Sequence, residues 1–332
     1  MGIKNLNKLL KQYCTNASIQ KITFQQLANT RIAIDASIYM YKYIEKEELV
    51  EKMHLMISIF TKQYNITPIF VFDGKPPEEK KELIDKRREK RKEAEVEYNQ
   101  LKQMLTHVAK EQNTTSSSQS NLTQEEKDDI EKKMVVLKKQ TTRIQEYHIR
   151  KMKRLLNAIG IQYIDAQGEA DITCAELVLS NKVYACMSED MDMLLYGCSR
   201  VIRQPCFNEH SVILYDVPAL LNELNISQEH FLKMVILTGT DYNKPVMDLQ
   251  QSYNLYLKYK TLQENANTST LYEWICEEHS EYEMDIDELN KTEKLFELTF
   301  ENTNKLEIVD YDNVIKDEND LQKILQEAGF II

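Results

Sequence analysis

No stretch of this 332-residue sequence holds the run of about twenty apolar residues that a bilayer-spanning helix needs. Polar residues interrupt its beginning, Met1-Gly2-Ile3-Lys4-Asn5-Leu6, so no signal peptide is expected there. Leu6 also stands where an N-myristoylation site wants Ser or Thr. These absences lead to the expectation of an intracellular protein with no membrane partner. Cys14, Cys174, Cys186, Cys198, Cys206 and Cys276 form no CxxC pair, which argues against a zinc ribbon or a disulfide framework. Cys206 and His210 have half of a zinc spacing and no second half. No internal repeat is visible. Also missing is an excess of positive charge: 42 Lys and Arg against 53 Asp and Glu leave a net charge of −11. Nucleic-acid binders usually carry a positive field, and this chain as a whole does not.

Charge is unevenly placed, however. Residues 80–92 (KKELIDKRREKRK) carry eight basic and three acidic side chains, +5 locally. Counterion release depends on the charges that touch phosphate, not on the global sum. Short apolar runs occur at 31–35 (Arg-Ile-Ala-Ile-Asp), 69–73 (Ile-Phe-Val-Phe-Asp), 161–165 (Ile-Gln-Tyr-Ile-Asp) and 183–187 (Val-Tyr-Ala-Cys-Met). Each reads as a buried parallel strand, and helical patterns alternate with them. The expected class is therefore α/β, a central, mostly parallel sheet flanked by helices. In such sheets ligands sit beyond the carboxyl ends of the strands.

A long charged helical segment runs from Pro76-Pro77 to about residue 110, and a polar loop follows at 112–123. A second helix opens with a capping box, Thr123 and Glu126. Its apolar positions Ile130, Met134, Leu137, Ile144, Met152, Leu155 and Ile159 predict one long amphipathic helix stopped at Gly160. The pair makes an arch inserted between core strands, at about 77–150. A surface coiled coil for a protein partner fits the charge pattern equally well; the neighbouring acids favour a role with substrate. Beyond residue 245 helical patterns return around Leu255-Tyr256-Leu257 and at 320–330. The expected organisation is a core at 1–245 and a mostly helical extension at 246–332.

Seven acids fall at or just after the predicted strands or close the core: Asp35, Asp73, Glu169, Asp171, Asp190, Asp192 and Asp241. Any one alone reads as a helix cap. Together they say more. Glu169–Asp171 and Asp190–Asp192 are pairs at spacing two, which an extended or turning segment directs to one side. Carboxylate oxygens suit Mg²⁺ or Mn²⁺, and no His/Cys set competes for zinc. Seven acids exceed one ion's needs, whereas two ions roughly 3.5–4 Å apart split the work of phosphodiester hydrolysis. Without cations such acids repel one another and their pKa values rise.

Six segments carry a resemblance: Met1-Gly2-Ile3-Lys4-Asn5-Leu6, Ala33-Ile34-Asp35-Ala36-Ser37, Val71-Phe72-Asp73-Gly74-Lys75-Pro76-Pro77, Gly168-Glu169-Ala170-Asp171, Ser188-Glu189-Asp190-Met191-Asp192 and Thr238-Gly239-Thr240-Asp241-Tyr242. In these, and in their order, the chain resembles the eukaryotic-type flap endonucleases of the XPG-like 5′-nuclease family, over residues 1 to about 245. The resemblance implies a PIN-like nuclease fold and a structure-specific 5′ nuclease of DNA flaps, nicks or junctions. It implies two Mg²⁺ ions, replaceable by Mn²⁺, on the seven acids, in a monomer working in the nucleus. High Asn, Ile and Lys content points to an AT-rich genome such as that of a large DNA virus, for which a cytoplasmic replication site is the alternative. Asp171 is a departure, because the family usually has Glu there and Asp reaches less far. Lys80 and Arg87 match basic residues placed at the gateway to the metals. Their spacing of seven puts them within about 20° on a continuous helix, with Lys81, Lys86 and Arg88 facing elsewhere. Tyr41 matches an aromatic that stacks on a base, although on pattern alone it reads equally as a core tyrosine beside Tyr39 and Tyr43. Gly2 matches a terminus that DNA approaches closely.

Other departures concern substrate. Only 38 residues separate Asp35 from Asp73, which puts the pocket for a 3′-flap nucleotide in doubt. Asn243-Lys244-Pro245-Val246-Met247 replaces a glycine-bearing hairpin that grips duplex, so that element is expected to be reduced or absent. Gln322 and Leu325 fit the first half of a sliding-clamp motif, but Ala328-Gly329 stand where its aromatics belong, so a clamp is not expected to bind there. Two other readings remain open: a 5′→3′ exonuclease on nicked or blunt duplex or on RNA, and a non-catalytic DNA-binding scaffold. Loss of an acid would favour the scaffold; all seven are present.

Overall fold

Apolar residues alternate between two faces along the short strands, so the sheet they form needs cover on both sides. The computed structural model describes residues 3–112, 123–263, 269–300, 307–308 and 316–330. Its seven strands are β1 (Ile19–Thr23), β2 (Arg31–Asp35), β3 (Thr67–Phe72), β4 (Tyr163–Asp165), β5 (Ala185–Met187), β6 (Arg200–Cys206) and β7 (Ser211–Asp216). They lie in the order β1-β7-β6-β5-β2-β3-β4. From β6 to β4 all pairings are parallel, while β7 and β1 add an antiparallel edge. The four strands expected from sequence are present, with ends shifted by up to two residues. The expectation did not include β1, β6 or β7.

The helices are α1 (Leu6–Tyr13), α2 (Ala36–Ile44), α3 (Leu49–Ser58), α4 (Lys81–Gln112), α5 (Gln124–Thr141), α6 (Glu146–Ile159), α7 (Ala170–Leu179), α8 (Val217–Glu223), α9 (Gln228–Ile236), α10 (Leu249–Gln263), α11 (Leu271–Glu278), α12 (Ile286–Lys294) and α13 (Glu318–Glu327). Ala33, Ile69, Val71 and Cys186 pack on one face of the sheet with residues of α1, α7, α9, α10 and α11. Ile32, Ile34, Phe70, Phe72 and Met187 pack on the other with α2, α3, α6 and α13. The carboxyl ends of β2 and β3 carry or precede Asp35 and Asp73.

Between β3 and β4 the chain leaves the sheet as α4 and α5. They pack against each other through buried Ala94 and Leu137, and Lys133 Nζ meets Glu97 Oε1 at 2.5 Å. At the base, Lys138 and Lys139 of α5 pair with Glu47 and Glu45, each at 3.1 Å. The capping box forms as expected, with Thr123 and Glu126 bonded reciprocally. Most of the polar tip at 112–123 lies outside the described residues. The single long helix expected up to Gly160 is corrected to two. Both Thr141 and Thr142 turn their hydroxyls back onto the Lys138 carbonyl, and Thr142 is extended (ψ 133°). Such bonds offer the backbone an alternative to helix. Gln145 and His148 then form a fresh capping box for α6, and Gly160 ends it in the left-handed region at φ 83°.

Candidate metal centre

Helix starts position most of the acids. Asp35 ends β2 and caps α2, its Oδ1 accepting from the Ser37 and Ile38 N–H groups at 3.0 and 3.4 Å. Asp73 follows β3, accepting from the Ser37 hydroxyl and from Ala170 N–H at 2.9 Å. Glu169 is the N-cap of α7 and Asp171 lies in its first turn. Asp190 caps a 3₁₀ turn, Met191–Leu194, and accepts from Asp192 N–H at 3.1 Å. Helix N-termini present N–H groups and positive dipole ends, which favour negative charge. Asp241 follows α9 in a loop. Both pairs at spacing two therefore straddle a helix start instead of lying in extended chain.

Gly74 makes one approach possible. Its N–H donates to Gly168 O at 2.7 Å, and a Cβ built on it would stand 2.0 Å from the Ala166 carbonyl oxygen. A side chain there would push Asp73 away from the segment that carries Glu169 and Asp171.

The acids share one field. Asp171 lies within the electrostatic reach of Asp35, Asp190, Asp192 and Asp73, and Asp192 within that of Asp190 and Asp241. Lys80 joins the remainder: Nζ donates to Glu169 Oε1 at 2.6 Å and is 3.8 Å from Asp241 Oδ2. Burial first, then Asp73 and Asp190, push the Asp35 carboxyl up to about 7. Burial, Asp190 and Asp241 push Asp192 up to about 8. Burial and four neighbouring carboxylates raise Asp171 well above the usual range. Asp171 Oδ1 and Asp192 Oδ1 are buried without a hydrogen-bond partner. Among the described residues no three such donors are gathered closely enough to hold an ion as they stand. Lys80, Arg87 and hydroxyls engage several of the oxygens instead. Mutually repelling carboxyls with orphaned buried oxygens suit divalent cations, which relieve both penalties.

Lys80 and Arg87 meet at Asp241, Arg87 donating to both its oxygens at 3.2 and 3.1 Å. Lys80 ends a 3₁₀ turn, Glu78–Lys80, that runs directly into α4 at Lys81, so it lies just before the helix and not on it. Both cations nonetheless turn to the same acid. Lys86 is exposed and pairs with Glu82 on its own helix. Tyr41 is 39% exposed on α2 while Tyr39 and Tyr43 are buried, so Tyr41 is not a core residue. Gly2 lies outside the described residues. His210 bonds the Tyr64 hydroxyl at 2.6 Å and packs on Phe24.

Sequence reasoning passed over Tyr242, Ser37 and Ser188. Tyr242 donates to Glu169 Oε2 at 2.7 Å and lies under the Lys80 ammonium, 4.7 Å from ring to Nζ. Burial raises its phenol, Lys80 opposes that, and the bond to Glu169 adds to it. Ser188 Oγ stands 3.4 Å from Asp35 Oδ2. All three sit inside the quoted segments, within two residues of an acid, and that proximity was the only signal.

A cavity of about 1080 Å³ opens at the arch base, lined by Arg88, Arg91, Lys92, Arg143 and Lys151 together with Glu47, Glu48, Glu51, Glu95 and Glu327. Where a glycine-bearing hairpin was expected to be reduced, α9 and α10 still pack together across a loop. Asn243 closes that loop, accepting from Thr240 N–H at 3.1 Å and donating to Ile236 O at 2.8 Å. The half-motif at Gln322 and Leu325 lies on α13, which packs on α6 with Ile324 and Leu325 buried. Among the described residues no helix is long and apolar enough to cross a membrane.

Comparison with known proteins adds to this geometry. The XPG N-terminal domain matches residues 1–94 and the XPG I-region matches 160–241. The chain is 32% identical over 283 residues to flap endonuclease 1 of Entamoeba histolytica, covering 79% of this chain and 69% of that protein. It is 31% identical to flap endonuclease 1 of Macaca fascicularis, covering 80% and 68%. The fold is similar to the catalytic core of Rad2 in complex with DNA substrate, with a TM-score of 0.65, 18% identity, and 99% and 96% of the two chains covered.

Proposed function

Because the chain belongs to the XPG-type flap-endonuclease family, we propose that it cuts DNA at 5′ flaps and branched junctions with two divalent cations on Asp35, Asp73, Glu169, Asp171, Asp190, Asp192 and Asp241. Membership makes it a structure-specific 5′ nuclease, a metal-dependent hydrolase of DNA. The number of ions, the preference for Mg²⁺ with Mn²⁺ as substitute, and the residue roles are our reading. One observation supports it: carboxyls from separate segments lie within electrostatic reach of one another, two with buried oxygens lacking any partner.

When bound, divalent cations supply the charge that a phosphodiester needs to accept attack by water and release its leaving oxygen. The chain's own groups do the rest. Asp35 and Asp190 are held at fixed angles by backbone N–H groups at helix starts. Tyr242 and Lys80 grip the two oxygens of Glu169 and fix its direction. Buried Lys80 and exposed Arg87, which meet at Asp241, would face the scissile phosphate and favour the charge that grows on it. Tyr41, exposed on α2, offers a ring for the base next to the cut.

Cleavage of labelled single-flap, double-flap, nicked and RNA substrates in Mg²⁺ tests this reading. Incision of the single 5′ flap at its branch is expected to dominate, with little gain from an added 3′-flap nucleotide. Preferred digestion of RNA or of blunt duplex would overturn the flap assignment.

A further inference from the structure

Glu189 lies beside Asp190, yet its carboxylate turns to β6, where Oε1 accepts from Gln204 N–H at 2.7 Å. That N–H belongs to an irregular stretch. The β6–β7 register shifts between Arg203 and Cys206, and Gln204 has a positive φ of 51°. Irregular strands leave backbone groups for side chains to satisfy. Arg203, the neighbouring residue, is buried and directs its guanidinium at the same loop. Nη2 donates to the Glu189 carbonyl at 3.0 Å, and Nε stands 3.5 Å from Glu189 Oε2, an ion-pair contact without hydrogen-bond alignment. Nη1 lies against the Met191 sulfur. The guanidinium also rests on Tyr215, 5.6 Å from its ring, and the Tyr215 hydroxyl bonds Asn7 Oδ1 at 2.7 Å.

One side chain thus touches both residues that flank Asp190, and Asp190 in turn accepts from Asp192 N–H. We propose that Arg203 and Glu189 form a clamp that positions Asp190 and Asp192 for cation binding. The clamp rests on the reading that these two acids hold metal. It answers a physical need. Carboxylates that repel one another spread apart unless their backbone is held, and a planar fork of five donors reaches several points of a loop in fixed directions, where the three donors of an ammonium radiate from one atom. Arg203 is a positioning residue: it touches no substrate and acts through the loop. Glu189, the one acid of the Ser188–Asp192 segment turned toward β6, serves the clamp and not the cations.

The test is Mn²⁺ binding to the full chain without DNA, followed by electron paramagnetic resonance. Groups that orient metal ligands typically change affinity by about 10–100-fold when lost, so Arg203→Met is expected to weaken Mn²⁺ binding by about tenfold or more. Arg203→Lys is expected to restore little of this, and Glu189→Gln, which keeps an acceptor for Gln204, to lose less. Arg154→Met, which breaks an arginine fork to Asp320 and Glu327 on α13, is expected to bind as the parent does. Parent-like binding by Arg203→Met, or an equal loss in Arg154→Met, overturns the clamp. Should Arg203→Met fail to fold, unchanged affinity in Glu189→Gln overturns it. A parent chain that binds no Mn²⁺ at all instead removes the metal centre on which the clamp rests.

Discussion

At Lys80 burial and charge pull in opposite directions. Burial disfavours the ammonium, yet Glu169, Tyr242 and Asp241 raise its pKa overall, so it stays charged at any working pH. In the proposed role, a buried cation beside the acids would act on the scissile phosphate with little screening, whereas exposed Lys86 pairs with Glu82 in water. Cations that meet charge grown in the transition state change kcat more than binding. Lys80→Ala and Arg87→Ala are each expected to lower single-turnover cleavage at least about tenfold, or about 1.4 kcal/mol. Lys86→Ala is expected to change it little. Equal losses from all three, measured on one 5′-flap substrate, would mean that α4 acts only as a diffuse basic patch. The acids predict a different pattern. On the proposed metal assignment, Asp190→Asn and Asp73→Asn remove charge that would serve cations and not phosphate, so cleavage is expected to vanish while flap binding by gel shift stays near that of the parent. Full turnover in excess chelator would contradict the metal assignment.

At the scale of elements, β2 and β3 were legible because each is an apolar run ending on or beside an acid, buried on both faces. The antiparallel strand β7 was not, since apolar residues in Ser211–Asp216 do not follow one simple period. The break between α5 and α6 escaped because an apolar stripe continues across it. What stops the helix is two threonine hydroxyls bonding one carbonyl, which periodicity does not register. The sequence singled out seven acids as a group, but not the helix starts that orient several of them, nor Tyr242 and Arg203 beside them. The element α13 shows what a missing motif becomes. With Ala328-Gly329 in place of aromatics, the helix folds back on α6 through Ile324 and Leu325, and Phe330 meets His54 edge-on at 6.3 Å. Ile324 is fully buried, so Ile324→Ala is expected to cost about 2–4 kcal/mol in urea unfolding. A change below about 0.5 kcal/mol, the range of surface substitutions, would mean that α13 is not part of the cooperative unit.

For the whole molecule the governing number is the net charge of −11, which two bound divalent cations reduce only to −7. A field of that sign repels DNA at long range, so association depends on a local excess. That excess is the +5 of residues 80–92, much of it on α4, where Arg88, Arg91 and Lys92 line the arch-base cavity with Arg143 and Lys151. Across α9 and α10 the loop between the helices is closed by Asn243, and no Gly-x-Gly is present to bring backbone N–H groups onto duplex phosphates. Duplex binding is therefore expected to be weak and carried by side-chain charge. If about five phosphates are neutralised, affinity falls roughly a few hundredfold between about 50 and 200 mM salt, because each contact contributes about −0.9 to the slope. Fluorescence anisotropy of a labelled 5′-flap duplex, read in Ca²⁺ to hold off cleavage, measures that slope directly. Replacing Arg88, Arg91 and Lys92 together with Gln is expected to flatten it by about three contacts. A flat profile in the parent chain would contradict this account, since affinity would then come from uncharged contacts. A steep profile that the triple substitution leaves unchanged would place the phosphate contacts away from the arch.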